Sequence, residues 1–472
     1  MRKGRLVMRI ELCREFREAG VLAAALRGEQ VGQAPVRLTG LATDSSEIEK
    51  GDIFLALPGK RYNGWEYLEA ALQRGAAGAI LPCTAGDCAK TTYRILVDDP
   101  LKSLLDAAAA HRAHLNGTVI AVSGSAGKTT AKEAIATVLG ERGVVRKSRG
   151  NYNSSIGLPL SLLSMDEADF YVLEIGINHP GEMEEMSLAL APEIAVLTNI
   201  GSAHIGNFGS FEALAEEKLK IASGMRAGGV LLLPENCPYP PTYDEKIKIY
   251  RFGHGMNCDF RAENIHMDAQ GVSLTLCHGE KRIPSLSWGI PGEMGVTTLL
   301  IAGATAELCG VETESLSRGL ARAAAFTPRM RKVVAGERLL LDDAYNASPE
   351  TVAAALETLS YLAGKRQSAA VLGDIEELGE FSGTLHEAVG ECAGRSGISL
   401  LFTYGEKAFG IAKAAARAGL ARGAVFPFLP GEERELAGAI LKKTKHNAVI
   451  LFKASHKTGL DRIVRAVERK AR

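Results

Sequence analysis

The sequence has no excess of charge of either sign. Its 472 residues include 55 lysines and arginines and 55 aspartates and glutamates, which gives a formal net charge of zero. A protein that holds nucleic acid or an acidic membrane surface through its overall field usually carries a basic excess. We therefore expect no nucleic-acid partner, and small molecules are the expected partners instead.

Long apolar runs are also missing. No stretch reaches the roughly 18 apolar residues of a membrane-spanning helix, and charges interrupt the first twenty residues too often for a secretory signal. The eight cysteines, at positions 13, 83, 88, 237, 258, 277, 309 and 392, form no CxxC pair and lack the spacing of a zinc site. The sequence thus predicts a soluble, cytoplasmic protein with reduced thiols and no membrane span.

The alternation of strand-like and helix-like segments predicts three α/β domains, and roughly 150 residues per domain also suggests about three. Residues 1–113 read as a small α/β unit. Residues 114–327 alternate strands with helices as a parallel sheet does, with an antiparallel appendage over 247–289. After the turn-like sequence Phe326-Thr327-Pro328, residues 328–472 contain five strand-like runs, each followed by a helical segment. This pattern indicates a Rossmann-like, doubly wound sheet.

A phosphate-binding loop is the sharpest motif. A strand from Thr118 to Val122 leads into the sequence Gly124-Ser125-Ala126-Gly127-Lys128-Thr129-Thr130, and a helical segment follows. Such a loop presents backbone N–H groups and the positive end of a helix to phosphate oxygens, while the lysine neutralises charge and the first threonine can bind Mg²⁺. The usual eight-residue pattern has glycine where Val122 stands, so the loop is a variant. A glycine turn that binds nothing is the alternative, and the flanking strand and helix argue against it.

Further candidates follow strands of the same predicted sheet. Glu174 ends a strand, where a carboxylate could hold a metal that bridges ATP phosphates or could simply be a solvated strand end. His204 lies in a glycine-rich loop after the next strand and could contact metal or phosphate, or be an ordinary loop residue. Lys218 on its own would be read as a charge on a solvated helix. Asp342 to Asn346, at the end of a later strand, form a plausible ligand site.

Taken in order, these stretches resemble the Mur ligase family, the ATP-dependent amide ligases of peptidoglycan precursor synthesis. The resemblance rests on residues 124–130, 151–159, 174–182 and 199–218, and it extends over roughly residues 40–460. Residues 174–182, 341–349 and 373–379, the last followed by His386, are most similar to the members that add D-alanyl-D-alanine.

The resemblance implies a three-domain ligase: an N-terminal domain for the UDP end of the substrate, a central ATPase and a C-terminal Rossmann-like domain that brings the amino substrate. Its cofactors would be ATP and Mg²⁺. ATP would activate the terminal carboxylate of UDP-N-acetylmuramoyl-tripeptide as an acyl phosphate, and the amine of D-alanyl-D-alanine would attack it. We expect the protein to act as a monomer.

The resemblance also assigns roles to single residues. The implied catalytic residues are Lys128, His204 and Lys218, the last at a position where related ligases have a lysine that can be carbamylated. The implied metal ligands are Thr129, Glu174 and His204, and the implied cofactor-binding residues are Gly124, Ser125, Ala126, Gly127, Lys128, Thr129, Thr130 and Asn346. The implied substrate-binding residues are Ser45, Asn151, Asn153, Asp343, Tyr345 and Lys453.

Several positions depart from the family pattern. Ser46 replaces an arginine of the UDP-sugar site, and Ser154 replaces a second asparagine. Met294, Gly295 and Thr298 replace the polar residues that hold the adenine side in relatives. The arginine expected at the junction to the last domain could be Arg329 or Arg331, and Lys453-Ala454-Ser455-His456 replaces a Lys-Gly-Ser-Arg sequence. These departures avoid the phosphate and metal positions, so they predict altered recognition rather than lost catalysis.

Three alternatives stay open at the level of the sequence. The first is a ligase of the same family that adds a different amino acid, which the sequence Asp343-Ala344-Tyr345-Asn346 argues against. The second is a non-catalytic, nucleotide-binding partner, and the third is a P-loop kinase. The sequence does not indicate whether the tripeptide would end in diaminopimelate or lysine.

Overall fold

The computed structural model describes residues 8–59, 62–85, 93–237, 246–324 and 330–471. Consecutive parts of the chain build three separate sheets, each packed against helices. We call the parts the N-terminal domain (sheet residues 9–97), the central domain (sheet residues 118–288) and the C-terminal domain (sheet residues 331–453). The predicted three-domain α/β fold is therefore confirmed.

The N-terminal domain contains a six-stranded sheet in the order β1-β3-β4-β5-β6-β2. Its elements are β1 (Arg9–Glu11), α1 (Ala19–Ala25), β2 (Glu29–Val31), β3 (Gly40–Ala42), β4 (Ile53–Leu55), α2 (Leu68–Gln73), β5 (Gly78–Pro82), β6 (Arg94–Val97) and α3 (Pro100–His114). Strands β3 to β6 are parallel, and β1 and β2 pair antiparallel at the two edges. Helix α3 begins at Pro100, because the Asp99 carboxylate accepts the N–H groups of Leu101 and Lys102.

The central domain contains a nine-stranded sheet in the order β15-β14-β13-β12-β11-β10-β7-β9-β8. Its strands are β7 (Thr118–Ser123), β8 (Val145–Lys147), β9 (Phe170–Glu174), β10 (Ile194–Leu197), β11 (Val230–Pro234), β12 (Lys248–Gly253), β13 (Phe260–Asp268), β14 (Gly271–His278) and β15 (Lys281–Trp288). Its helices are α4 (Lys128–Leu139), α5 (Gly157–Leu163), α6 (Glu182–Leu190), α7 (Phe211–Leu219), α8 (Glu293–Leu308) and α9 (Thr313–Ala324).

Residues 247–289, predicted as an antiparallel appendage, continue the same sheet instead. Strand β12 pairs parallel with β11, and β13 pairs parallel with β12, before β13, β14 and β15 pair antiparallel. Helix α8 is apolar over most of its length and packs on this extension, where Leu299 and Leu300 share a buried cluster with Leu276 and Leu286. The burial of α8 explains why the antiparallel strands do not separate from the parallel ones.

The C-terminal domain contains a six-stranded sheet in the order β16-β17-β21-β18-β19-β20. Its elements are β16 (Arg331–Ala335), β17 (Arg338–Asp343), α10 (Pro349–Ala363), β18 (Ser368–Gly373), α11 (Ser382–Arg395), β19 (Leu400–Tyr404), α12 (Ala408–Arg417), β20 (Val425–Phe428), α13 (Glu433–Lys443), β21 (Val449–Lys453) and α14 (Leu460–Ala471). The five predicted strands are parallel, and β16 adds an antiparallel edge that the sequence did not indicate.

The predicted domain boundaries stay predictions. The boundary at 113/114 falls at the end of α3. The boundary at 327/328, the turn-like Phe326-Thr327-Pro328, Arg329 and Cys88 all lie outside the described residues. Within the described ranges, no helix has both the length and the apolar character needed to cross a membrane.

The order of the strands in the central sheet determines where the candidate functional residues lie. Strands β10, β7 and β9 are parallel neighbours, so their carboxyl ends meet at one edge of the central sheet. An apolar cluster crosses from this domain into the C-terminal domain, with Ile205 on one side and Leu378 on the other. The C-terminal domain is thereby docked over the carboxyl edge of the central sheet.

Candidate active site

The phosphate-binding loop joins β7 to α4 through two glycines in left-handed conformations. Gly124 has a φ of 141°, and a Cβ atom there would lie 2.0 Å from Thr198 Oγ1, so no side chain fits. Gly127 has a φ of 77° and precedes the first residue of α4, Lys128. The Lys128 ammonium donates a hydrogen bond to the carbonyl oxygen of Gly124 at 2.7 Å. The start of α4 and one lysine thus face the same space, as phosphate binding requires.

Asn199 holds this loop in shape, a role that the sequence analysis missed. Its Oδ1 accepts the backbone N–H groups of Ser125 at 3.0 Å and Ala126 at 2.8 Å. Two residues later, Gly201 and Ser125 exchange two hydrogen bonds of 2.8 Å through the serine hydroxyl. The loop after β10 therefore supports the phosphate-binding loop. A polar amide directly after a strand of the nucleotide sheet was the signal that could have identified Asn199.

Thr129 and Glu174, two of the predicted metal ligands, lie together at the sheet edge. The Thr129 hydroxyl donates to Glu174 Oε2 at 2.9 Å, and the Asn153 side-chain amide donates to Glu174 Oε1 at 2.7 Å. Mg²⁺ prefers hydroxyl, carboxylate and phosphate oxygens, so this donor set fits the ion together with nucleotide phosphates. Among the described residues, no group of three His, Cys, Asp or Glu side chains could hold a metal by itself.

His204 contacts the C-terminal domain rather than the Thr129 and Glu174 pair. Its Nδ1 contacts the carboxylate of Glu377, in the segment that follows β18. The proximity of His204 is the first cause of a lowered pKa for the Glu377 carboxyl group. The predicted metal role of His204 stays a prediction, and Glu377 is a residue that the sequence analysis did not include in the site.

Lys218 is buried on α7, with only 1% of its surface exposed. Burial first, and the charge of Lys128 second, lower its pKa from 10.5 to about 7. The carboxylate of the adjacent Glu217 bonds instead to Lys220 and to the backbone N–H groups of Gly181 and Met183. The sequence alone reads Lys218 as a charge on a solvated helix, and its burial contradicts that interpretation.

The C-terminal candidates gather at the ends of β17 and β21. Lys453 is buried, pairs with Asp343 and donates to the carbonyl oxygen of Asn346 at 3.1 Å. Tyr345 is 46% exposed, and its ring meets the edge of His456 with ring centres 5.8 Å apart. The structure thus brings these sequence-predicted residues into one cluster.

The remaining predicted substrate residues lie apart from that cluster. Ser45 is buried in the N-terminal domain, just after β3. Asn151 is exposed in the segment before α5, while Asn153 is the residue bonded to Glu174. Ser46, at the arginine position of the family, is turned to Asp44, whose carboxylate accepts both its N–H and its hydroxyl.

The positions at which relatives have polar residues for the adenine side differ here for a structural reason. A Cβ atom on Gly295 would lie 2.4 Å from the carbonyl oxygen of Ile290, so an asparagine side chain cannot occur there without a backbone shift. The Thr298 hydroxyl donates to the carbonyl oxygen of Met294 in its own helix at 2.7 Å. Met294 lies against the phosphate-binding loop, because a Cβ atom on Gly127 would be 2.9 Å from its Cε. Met294, Gly295 and Thr298 therefore offer a bound ligand apolar contacts rather than polar ones.

Two further departures have structural roles. The Ser154 hydroxyl accepts the N–H group of Gly157 at 3.2 Å, at the start of α5. Arg331, one of the two candidates for the junction arginine, pairs with Asp342 across β16 and β17 at 2.8 Å.

His386 is buried and its Nε2 accepts the N–H group of Ile375 at 3.1 Å, and burial lowers its pKa. His386 therefore supports the segment after β18.

Comparison with known proteins places this geometry in a family. The sequence matches the Mur ligase middle domain over residues 122–306 and the Mur ligase glutamate ligase domain over residues 328–456. It is 33% identical to UDP-N-acetylmuramoyl-tripeptide–D-alanyl-D-alanine ligase of Bacillus subtilis (strain 168), with 90% of this chain and 92% of that one covered. The ligase of the same name from Escherichia coli (strain K12) is 30% identical, with 95% and 97% covered.

Solved structures agree with the sequence relatives. MurF from Acinetobacter baumannii matches with a TM-score of 0.83 at 26% identity, over 98% of this chain and 99% of that one. MurF ligase from Thermotoga maritima in complex with ADP matches with a TM-score of 0.78 at 25% identity, over 91% and 97%. With both ligase domains matched and a relative 33% identical over most of both chains, this chain belongs to the Mur ligase family.

Proposed function

We propose that this chain is an ATP-dependent amide ligase that joins D-alanyl-D-alanine to the terminal carboxylate of UDP-N-acetylmuramoyl-tripeptide, in peptidoglycan precursor synthesis. The observation that carries the proposal is the 2.9 Å contact between Thr129 and Glu174 beside the phosphate-binding loop of a Mur ligase family member. That pair supports phosphoryl transfer from ATP, and the relatives from Bacillus subtilis and Escherichia coli carry the name of this reaction.

The first step transfers a phosphoryl group from ATP to the tripeptide carboxylate and gives an acyl phosphate and ADP. The loop from Gly124 to Thr130 binds the phosphates through backbone N–H groups at the start of α4. The Lys128 ammonium offsets charge that develops on the transferred group. Thr129, Glu174 and His204 are the residues that would hold Mg²⁺, which when bound neutralises charge on the phosphoryl oxygens.

In the second step the neutral amine of D-alanyl-D-alanine attacks the acyl phosphate and forms the C–N bond. Phosphate leaves through a tetrahedral intermediate as the C–O bond breaks, and the nitrogen releases one proton to solvent. The dipeptide is a zwitterion, and Asp343 and Lys453 place an anion and a cation side by side at the strand ends of the C-terminal domain. Tyr345 is exposed next to them. This cluster supports an amino-substrate site there, and we assign Asn346 to nucleotide binding. We assign Ser45, Asn151 and Asn153 to the UDP-linked peptide.

Lys218 would act as a carbamate rather than as an ammonium. Carbon dioxide reacts with a neutral amine, and burial lowers the pKa of Lys218 to about 7, so a large share of the amine is neutral at physiological pH. The reaction forms an N–C bond to carbon dioxide and releases one proton from the nitrogen. The resulting carboxylate would supply a negative charge beside the Lys128 cation.

Phosphate release with UDP-N-acetylmuramoyl-tripeptide and D-alanyl-D-alanine tests the function. We expect turnover by the wild type, dependent on both substrates, with an amide product identified by mass spectrometry. Lys128→Ala should lower kcat at least about 100-fold, because it removes a charge that stabilises the transition state. Lys413→Ala, which changes an exposed lysine on α12, serves as the control and should leave kcat unchanged.

The same assay separates the alternatives. A screen of amines that favours a single amino acid over the dipeptide would identify a ligase of different specificity. Absence of turnover by the wild type, or unchanged turnover in Lys128→Ala, would contradict the proposed function. A phosphorylated product without an amide would indicate a kinase. Tripeptides ending in diaminopimelate and in lysine should be compared in parallel, since either can be the acceptor.

The substrates indicate where the enzyme works, and the assigned residues indicate its oligomeric state. ATP and a UDP-linked precursor are cytoplasmic compounds, so we propose that the enzyme works in the cytoplasm. We also propose a monomer, because all residues assigned to the two steps lie on one chain. Size-exclusion chromatography with light scattering would measure the mass directly.

A further inference from the structure

Helix α10 of the C-terminal domain contacts the central domain at two places along one of its sides. At its second residue, Glu350 reaches the loop after β10. Two turns later, the Thr358 hydroxyl donates to the carbonyl oxygen of Pro291 at 2.9 Å. The neighbouring Glu357 carboxylate accepts the N–H group of Glu293 at 3.2 Å. Because residues seven and eight positions apart lie on the same side of a helix, α10 lies with one side against the central domain.

Both contacts of α10 adjoin the phosphate-binding loop. Glu293 directly precedes Met294, and a Cβ atom on Gly127 of that loop would be 2.9 Å from the Met294 Cε. At the other contact, Glu350 meets the loop after β10, which is bonded to Ser125. The helix therefore touches the immediate neighbours of the phosphate-binding loop at two separate points.

The side chain of Glu350 lies over the loop after β10. Its Oε1 accepts the N–H group of Ser202 at 2.7 Å. A Cβ atom on Gly201 would lie 2.7 Å from the Glu350 Cδ, so glycine at 201 permits this close approach. Gly201 in turn exchanges two hydrogen bonds of 2.8 Å with the Ser125 hydroxyl. One residue, Gly201, thus separates the Glu350 contact from the phosphate-binding loop.

The hydrogen bond between Ser202 and Glu350 lies in a buried environment. Ser202 is 5% exposed, and Oε2, the other oxygen of Glu350, is buried with no hydrogen-bond partner among the described residues. A buried N–H group that loses its acceptor costs more free energy than the hydrogen bond itself contributes. The shape of the loop after β10 therefore depends on the Glu350 acceptor.

The start of α10 is fixed within its own domain. The Ser348 hydroxyl caps the helix by accepting the N–H group of Thr351 at 3.4 Å, and Pro349 occupies the first helical position. Two residues before the cap, the carbonyl oxygen of Asn346 accepts a hydrogen bond from Lys453 at 3.1 Å. A side chain on a capped helix is held more precisely than one on a free loop. The docked C-terminal domain thus sets the position of the Glu350 carboxylate.

We propose that Glu350 is a positioning residue for the nucleotide, which enters from the C-terminal domain and orders the phosphate-binding loop through Ser202 and Gly201. The proposal rests on the proposed function in one respect, the binding of nucleotide phosphates by that loop. Its consequence is that the loop after β10 keeps its binding conformation only while α10 is docked.

The charge of Glu350 acts in the opposite direction from its hydrogen bond. Burial lowers the pKa of Lys218 most, and the negative charge of Glu350 opposes that effect, so the carboxylate field reaches this part of the site. A negative charge there repels a bound phosphate, whereas the hydrogen bond orders the loop that binds it. Glu350→Gln removes the charge and keeps an oxygen that can accept the Ser202 N–H group. Glu350→Ala removes both.

Hydrogen exchange of the full-length protein without nucleotide tests the positioning role directly. In Glu350→Ala, peptides covering residues 124–127 and 199–206 should exchange about 10-fold faster than in the wild type, because the Ser202 N–H group loses its acceptor. Thr358→Val removes the other α10 contact, and it should leave the exchange of these peptides unchanged. Equal acceleration in both variants would show that general undocking controls the loop, and would overturn the proposal.

ADP affinity, measured by isothermal titration calorimetry, tests the consequence for the nucleotide. Glu350→Ala should weaken ADP binding about 10-fold, whereas Glu350→Gln should bind ADP at least as tightly as the wild type. Both variants lose the same charge at the start of α10, so a difference between them cannot come from the helix dipole. Ser360→Ala, at an exposed position of the same helix, is the control and should bind ADP as the wild type does.

Equal ADP affinities in Glu350→Ala and Glu350→Gln would overturn the inference, as would an equal loss in the Ser360→Ala control. The ligase assay fails independently. A wild type that forms no amide, but in which Glu350→Ala loosens the loop and weakens ADP binding, would remove the proposed function and leave the role of Glu350 standing. Amide synthesis by the wild type, with unchanged loop exchange and ADP affinity in Glu350→Ala, would do the reverse.

Discussion

Lys218 shows how the surroundings of a residue can change its chemistry. On the surface of a helix it would be a permanent cation, yet here its pKa falls to about 7 because its ammonium is removed from water and lies near Lys128. Within the described part of the chain it forms no ion pair, whereas Lys220, two residues on, pairs with Glu217 and has a raised pKa. Lys218 on α7 and Lys220, directly after that helix, therefore differ in the direction in which their pKa is shifted.

Carbamylation should distinguish these two lysines. Protein equilibrated with ¹³C-labelled bicarbonate should give a carbamate carbonyl resonance in the ¹³C NMR spectrum, because Lys218 offers a neutral amine. The resonance should disappear in Lys218→Arg and persist in the control Lys220→Arg. Loss of ligase activity should accompany loss of the resonance, by about 100-fold or more if the carbamate stabilises charge in the transition state. A spectrum without the resonance in the wild type would contradict the assignment.

The same lysine predicts a pH dependence of stability. Its pKa is about 7 in the folded protein and has the ordinary lysine value of 10.5 once the chain unfolds, so the unfolded chain binds more protons between those values. Stability should therefore rise with pH across that window, by up to roughly 1 kcal/mol for each pH unit. Calorimetry in buffers free of carbon dioxide should show the Tm of wild type rising relative to Lys218→Met as pH increases. A constant difference in Tm would rule out the depressed pKa.

At the scale of elements, the phosphate-binding loop depends on its neighbour. The loop after β10 supplies Asn199, whose one side-chain oxygen accepts two N–H groups of the phosphate-binding loop. Asn199 accepts the N–H groups of Ser125 and Ala126, so the N–H groups at the start of α4 remain available to bind phosphate. The loop is therefore ordered by a residue of the adjacent strand before any nucleotide is bound, which reduces the entropy cost of binding.

Asn199→Ala should weaken ADP binding about 10-fold. Two loop N–H groups lose their acceptor, and each unsatisfied group costs on the order of 1 kcal/mol or more unless water replaces it. Isothermal titration calorimetry would measure the affinity, with Asn207→Ala, an exposed residue of the same loop region, as the control. Equal affinity in both variants would show that Asn199 has no part in ordering the loop.

The sequence predicted elements whose signals are local and missed contacts between distant elements. The strand, glycine loop and start of α4 are contiguous in the sequence. The start of α3 has a local signal too, because Asp99 and Pro100 are typical of a helix N-terminus. The short strands β1, β2 and β3 have three residues each, too few for a periodic pattern. Asn199 meets Ser125 across 74 residues, and Glu377 meets His204 across a domain interface. Spacing in one sequence cannot reveal such pairs.

At the scale of the whole molecule, the central domain is held from both sides. The C-terminal domain contacts it through Glu350 and Glu377. On the other side, the Tyr152 hydroxyl bridges the N–H and carbonyl groups of Arg9 on β1, at 3.2 Å each. Tyr152 stands between Asn151 and Asn153, the residues that we assign to the UDP-linked peptide. The position of the N-terminal domain is thus tied to the segment that would hold the substrate.

Tyr152→Phe should raise the KM for UDP-N-acetylmuramoyl-tripeptide and leave kcat nearly unchanged. The substitution removes hydrogen bonds worth about 1 kcal/mol in total, which corresponds to roughly a fivefold change. Steady-state kinetics would measure the effect. Tyr361→Phe is a suitable control, since the Tyr361 hydroxyl has no hydrogen bond among the described residues. A drop in kcat with constant KM would place the role of Tyr152 in the chemical step instead.

Gly295 has a consequence for the design of inhibitors. Because the carbonyl oxygen of Ile290 and the methyl group of Val272 occupy the space of any side chain at 295, one substitution cannot restore the family's asparagine there. The turn between β15 and α8 would have to move as well. Inhibitors that depend on an asparagine side chain at this position should therefore bind this chain more weakly than they bind relatives that carry it.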